Sequence, residues 1–399
     1  MSEADPRFGS ALKEDWIYGP IFDADVHIDP PHDMWKDYLP ESQKHKAPVI
    51  EHGDDCDYIC FEGNRRPVMM INNQAGREGK DFKMKGRLSE QRNTYDPQKR
   101  LEDMDMDGID YAICFGGGPL GSFDNDLYIA SFEAYSNWVA DWASNAPHRL
   151  FPVGHAPMRD IDETIGFVER LAKKGFKMLQ LPAFPQNPEA WKTSSGIKNL
   201  KDGQVSAQTG DPKGALQYSD PEFDRLWKVL CDHDMVITFH LGGRVPRFGQ
   251  KEFFLADMPM SKVAMAEPIG IFIHNGIFDR FPDLRIGTME SGVGWLPWFA
   301  EYNDRVWEKQ RFWTESPIKN PPSYYMDKNV WASFIQDRAG ILLRDLPGGR
   351  NIMWSSDYPH SETTFPRSHD IIRRDFEGVP VEDVKDIICN NAKRLLRLS

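Results

Sequence analysis

Near the start of the chain, the stretch Phe22-Asp23-Ala24-Asp25-Val26-His27-Ile28-Asp29-Pro30-Pro31 sets a carboxylate and an imidazole two residues apart. Ile21 and Phe22 lead in as a short buried strand, and the period-two geometry of a strand turns Asp25 and His27 to the same side. A carboxylate oxygen and a neutral imidazole that converge where a strand ends suit a divalent cation such as zinc or manganese. An isolated D-x-H is more often an N-cap aspartate beside a hydrogen-bonded core histidine. The metal reading therefore needs further donors at the ends of other strands.

Those strands are legible in the order of the chain. Residues 1–20 read as an arm, with Pro20 just before the first strand. Between about 47 and 94, short β-like runs at Val49-Ile50, Tyr58–Phe61 and Pro67–Ile71 are split by glycine-bearing turns, which predicts a meander inserted after the first strand. After Pro97 the pattern turns rhythmic. Helices expected at 98–107, 126–143, 161–174, from Asp220, 261–278, 296–307 and 338–346 alternate with strands at 109–115, 150–154, 177–182, 235–239, 285–289, 329–333 and 351–355. A last helix, 381–396, closes the chain, and a long polar excursion at 186–218 follows the fourth barrel strand. Eight strands alternating with helices predict a (β/α)8 barrel, here one domain over residues 21–399. A doubly wound sheet is the competitor, but no G-x-G-x-x-G follows the first strand.

Composition narrows the partners. A net charge of −13 argues against nucleic acid and anionic membranes, which are held mainly through Lys and Arg. Twelve Trp, 24 Phe and 12 Tyr supply ample core. Five scattered cysteines form no zinc-knuckle spacing and fit a reducing compartment. No run approaches the ~18 apolar residues of a membrane span, and residues 1–20 lack the apolar stretch of a signal peptide. The expectation is a cytoplasmic protein.

The residues at the C-terminal ends of the strands of such a barrel gather at one mouth. Those positions hold Asp25 and His27 (first strand), His155 (third), His240 (fifth), Glu290 (sixth) and Asp357 (eighth). All six are of metal-competent type, and their joint occurrence strengthens a reading that each alone leaves weak.

At this point the sequence resembles a known family. Asp25-x-His27, the run from Arg100 to Asp110, Gly276-Ile277-Phe278-Asp279-Arg280-Phe281-Pro282-Asp283-Leu284, Gly294-Trp295-Leu296-Pro297 and Trp354-Ser355-Ser356-Asp357-Tyr358-Pro359-His360 are similar to the amidohydrolase-related family. That branch of the amidohydrolase superfamily includes aminocarboxymuconate-semialdehyde decarboxylase, resorcylate-type decarboxylases and several C–N and C–C hydrolases. The resemblance spans roughly residues 20–397 and implies a distorted (β/α)8 barrel. It also implies one divalent metal ion, zinc ahead of manganese, held by Asp25, His27, His240 and Asp357. Gln180 stands where two-metal members carry a carbamylated lysine, which supports a single ion. Many decarboxylases of the branch carry a histidine at the end of the sixth strand, where this chain has Glu290.

The mechanism that follows counts three catalytic residues, Asp357 and Glu290 for acid–base work and His360 to orient the substrate or that aspartate. Arg244, Arg247 and His155 are assigned to holding a substrate carboxylate, with aromatics such as Phe239, Trp295, Trp298 and Trp354 suited to an unsaturated or aromatic acid. A metal-activated water would hydrolyse a C–N or C–C bond; a chelated hydroxy acid would instead be protonated and lose CO2. Glu290 tips the reading toward hydrolysis. Decarboxylation of a hydroxy-aromatic or muconate-type acid is the alternative, and a non-catalytic, metal-stabilised binding protein is the second. The partners expected are a small carboxylate and a further copy of the chain, as a homodimer or higher homo-oligomer.

Overall fold

The computed structural model describes residues 16–77, 79–92, 94–185, 217–241 and 251–398. Eight strands join in one sheet in the order β1 (Phe22–Ile28), β5 (Tyr111–Gly116), β6 (Leu150–His155), β7 (Met178–Gln180), β8 (Val236–His240), β9 (Ile286–Met289), β10 (Val330–Phe334) and β11 (Ile352–Trp354). Helices alternate with them, which makes the fold the expected (β/α)8 barrel. A separate antiparallel sheet, β2 (Val49–His52), β3 (Asp57–Phe61) and β4 (Asn64–Pro67), forms the insertion after β1.

Two compact units each take two pieces of chain: Met1–Val153 with Trp354–Lys393, and Gly154–Met353 with Arg394–Ser399. In the first, β1 is buried along its whole length, the pattern of a strand covered on both faces. It pairs in parallel with β5, Phe22 opposite Tyr111 and His27 opposite Phe115. On its other side the chain beyond Trp354 runs alongside: Asp357 N–H donates to the Asp25 carbonyl at 3.0 Å and His27 N–H to the Tyr358 carbonyl at 2.6 Å. The helix Pro97–Asp107 starts under an Asp96 cap that accepts from Gln98 and Lys99 N–H. It stops at Gly108, whose φ of 75° is the left-handed conformation that favours glycine.

In the second unit β7, β8, β9 and β10 pair in parallel, with His240 opposite Met289. Tyr218, Phe223, Trp227, Phe239 and Phe272 pack ring against ring behind β8. The loop after β9 is held from the loop after β10. There the Asp337 carboxylate accepts Val293 and Gly294 N–H, each at 2.7 Å, and Gly340 N–H at 2.9 Å. One acid thus caps the helix Arg338–Leu342 and ties down the chain just past Glu290.

Three expectations shift. The third meander strand is Asn64–Pro67, not Pro67–Ile71, because Glu62 and Gly63 (φ 47° and 74°) make a two-residue primed turn that pairs Asn64 with Phe61 at once. The single helix expected over 261–278 is three, Phe254–Val263, Ala266–His274 and Ile277–Arg280, the last break falling at Gly276 with φ 66°. The final helix carries a π-helical turn at Asp386–Asn390 between Val381–Lys385 and Asn391–Leu396. Of the polar excursion, residues 186–216 lie outside the described residues.

All five cysteines are free thiols, and burial pushes Cys114 up to about 12, which leaves it unreactive. Among the described residues no helix is long and apolar enough to cross a membrane.

Asp337→Ala should cost about 1–3 kcal/mol, since three N–H groups lose their acceptor and only part of the site is open to water. Equilibrium urea unfolding measures it, and an unchanged midpoint would show that the tie carries no weight.

Candidate functional site

The first unit brings four of the expected residues together. His27 Nε2 stands 3.4 Å from Asp25 Oδ1 and 3.1 Å from Asp357 Oδ1. His360 Nδ1 reaches the same Asp357 oxygen at 3.0 Å, and its ring stacks on that of His27 with centroids 3.7 Å apart. Asp25 and Asp357 are almost wholly buried, at 0% and 1% exposure. Two carboxylates in so little water need positive charge beside them.

The electrostatics agree with that need. Burial, seconded by His360, pushes His27 down to about 4, so the imidazole is neutral and able to offer a lone pair. Burial would raise Asp357, yet His360 and His27 outweigh it and hold the carboxyl below the usual carboxylate range. A neutral imidazole nitrogen within 3.4 Å of one carboxyl oxygen each from Asp25 and Asp357 is a donor set that fits a divalent cation with hard character.

Two residues outside the expected set hold these donors in place. Asp23, fully buried, accepts Asp25 N–H at 3.2 Å and Ser356 N–H at 2.9 Å on one oxygen, joining β1 to the chain before Asp357. Burial pushes Asp23 up to about 8, hydrogen bonds from Ser356 and Asp25 only partly offsetting it. Arg100, 1% exposed, donates from its guanidinium to the His27 carbonyl and lies 4.6 Å over the Tyr358 ring. Asp23 lies in the buried run of β1, but an irregularity in register between Asp23 and Val26 breaks the strand's period there and hides its role; Arg100 belongs to a family motif with no role attached.

The second unit gathers its own set. His240 ends β8, and its Nε2 lies 4.0 Å from Glu290 Oε2, just past β9. Glu290 is buried, has φ 52°, and donates its N–H to Ser333 Oγ at 2.9 Å. His155 ends β6; burial, with His240 nearby, pushes it down to about 4. Lys262, which the sequence did not single out, places its ammonium 3.2 Å from Glu290 Oε1. His274 bonds Asn303 at 2.7 Å from within its helix, a structural role. Gln180 ends β7 as expected. Trp298 does not line a site: it is 61% exposed and stacks on Tyr302. Arg244 and Arg247 lie outside the described residues.

Residues 22–398 match a family model described as Amidohydrolase. The chain belongs to the amidohydrolase family. It is accordingly an enzyme of that superfamily, and the motifs of the first and eighth barrel strands fall where the family resemblance set them. Solved structures of the same fold include an amidohydrolase from Mycobacterium avium subsp. paratuberculosis, 17% identical over 96% of this chain and 99% of that one, TM-score 0.70. A 5-carboxyvanillate decarboxylase from Sphingomonas paucimobilis is 17% identical over 95% and 99%, TM-score 0.63. A dihydroxybenzoic acid decarboxylase from a Polaromonas species, solved with manganese and 2-nitroresorcinol, is 15% identical over 95% and 97%, TM-score 0.60. Identities this low carry the fold.

For this amidohydrolase the raised Asp23 sets a pH test. The unfolded chain releases that proton near 3.8 and the folded chain near 8, so the stabilisation is complete below about 4 and is lost as pH climbs through about 8. Asp23→Asn, which keeps the acceptor and never ionises, should flatten the fall in unfolding free energy between those limits in metal-free protein. Asp23→Ala, leaving two N–H groups without an acceptor, should cost about 2–4 kcal/mol. Urea unfolding across the pH range reads both, and parallel curves for wild type and Asp23→Asn would refute the assignment.

Proposed function

We propose that this enzyme is a metal-dependent, non-oxidative decarboxylase of a small hydroxylated aromatic carboxylate. The observation that carries the reading is the pair Asp357 and His360, bonded at 3.0 Å beside the His27 nitrogen. Loss of CO2 from an aromatic ring leaves an electron pair on the ring carbon, which must take up a proton. Asp357, held ionised, accepts a proton from the substrate, and His360 on the same oxygen stores or returns it. Decarboxylation of hydroxylated benzoates by the Sphingomonas and Polaromonas proteins supports the same choice.

Hydrolysis draws its support from Glu290 as a second acid–base group. The Lys262 ammonium beside it supplies the counter-charge of a carboxylate, which weakens that argument. Glu290 keeps a proposed acid–base part in proton exchange, and His155, Arg244 and Arg247 remain proposed contacts for the substrate carboxylate.

We read Asp25, His27, His240 and Asp357 as ligands of one divalent cation, and residues 21–399 as one domain, as a single family match over 22–398 supports. Two carboxylates among four donors favour manganese over zinc, and the Polaromonas protein was solved with manganese. When bound, the cation would polarise a substrate oxygen and balance its charge. A homodimer is the proposed assembly, read by light scattering.

Carboxyl-labelled dihydroxybenzoates or carboxyvanillate should release labelled CO2 without taking up labelled oxygen from water. Asp357→Asn should lose on the order of 100-fold or more in kcat. Exhaustive chelation should abolish turnover, with manganese restoring more than zinc. Oxygen uptake into product without CO2 would establish hydrolysis instead, and turnover indifferent to Asp357→Asn would leave a binding protein.

A further inference from the structure

The insertion after β1 holds the turn that carries Asp357 and His360, through bonds separate from those β1 makes to it. Asp357 has φ 56°, a left-handed conformation that a residue with a side chain keeps only when its surroundings enforce it. From the β1 side the enforcement is the Asp25 carbonyl and the Asp23 carboxylate. From the insertion, Gln74 N–H and Ala75 N–H both donate to the Pro359 carbonyl, at 2.8 and 3.0 Å. Arg92 Nε donates to the Tyr358 hydroxyl at 3.1 Å and to Asp103 at 3.1 Å, and the same hydroxyl donates to Asp103. Arg92 and Gln74 are themselves tied together, because the buried Asn73 side chain accepts Arg92 N–H at 2.8 Å and donates to its carbonyl at 3.2 Å.

We infer that the insertion is a clamp on the acid–base pair, with Arg92 as a positioning residue that acts through Tyr358 on His360. The residue between them in the chain, Pro359, is gripped at its carbonyl, so a shift of Arg92 or of the Gln74-Ala75 amides moves His360 against Asp357. The insertion is thereby a working part of the site rather than a cover for it. This inference rests on the proposed reaction only for its kinetic readout.

Arg92→Met keeps the apolar stem and removes the guanidinium. It should lower kcat on the order of 100-fold, with KM and metal content per chain unchanged, as expected of a misplaced acid–base group. Arg92→Lys should recover part of the loss. In a His360→Asn background the Arg92→Met change should cost nothing further, since the residue through which it acts is gone. In the resting enzyme, without substrate, the ring-nitrogen resonances of His360 should move in Arg92→Met and return in Arg92→Lys. Equal losses in the wild-type and His360→Asn backgrounds, or unmoved His360 resonances, would overturn the clamp. If the wild type releases no CO2, the proposed reaction fails while the resonance measurement still decides the clamp.

Discussion

A seam only a few atoms wide carries the weight of this structure. Along it one buried carboxylate, Asp23, takes an N–H from β1 and an N–H from the chain just before Asp357, while backbone bonds between Asp25, His27, Asp357 and Tyr358 complete the join. Without that join the chain after Trp354 loses its tie to β1, and the left-handed backbone of Asp357 loses one of the two supports that enforce it. Asp23 does this by giving up ionisation. A neutral acid in a dry position costs less than a charge, and its carbonyl oxygen still accepts twice.

Once the seam is closed, the chemistry beside it follows from burial and charge. Asp25 and Asp357 sit on either side of His27 Nε2, and His360 stacks against that ring while bonding Asp357. Removing water drives His27 neutral, whereas the neighbouring rings keep Asp357 ionised. Burial decides the state of the imidazole, while the neighbouring histidines decide that of the carboxyl against burial, so two groups 3.1 Å apart are set by different forces. In the second unit the Lys262 ammonium gives Glu290 a fixed partner, so two buried acids of one enzyme stand in different electrostatic settings.

The barrel was legible because its strands are buried on both faces. Continuous apolar runs such as Met235–Phe239 and Ile109–Phe115 announce themselves, and each expected barrel strand lies within a few residues of an observed one. The strand-end donors were legible for the same reason, since the end of an apolar run marks where a side chain emerges. Helix ends read less well. The run from Ser261 looks continuous by periodicity, yet packing and Gly276 divide it. The third meander strand was displaced by three residues because the turn at Glu62-Gly63 sets the pairing, and register depends on turn geometry more than on apolar content.

Residue types and their spacing were enough to establish a barrel, a family and a set of metal-competent side chains at strand ends, because burial patterns and donor chemistry are local properties of the chain. Which charges are compensated, and by what, is not local. Asp23 meets Ser356 across 333 positions, Arg100 meets the His27 carbonyl across 73, and Arg92 meets Tyr358 across 266. Contacts of that span leave no period in a sequence. They exist only once folding has brought these distant stretches of the chain together, and they fix where the strand-end side chains stand and what compensates them.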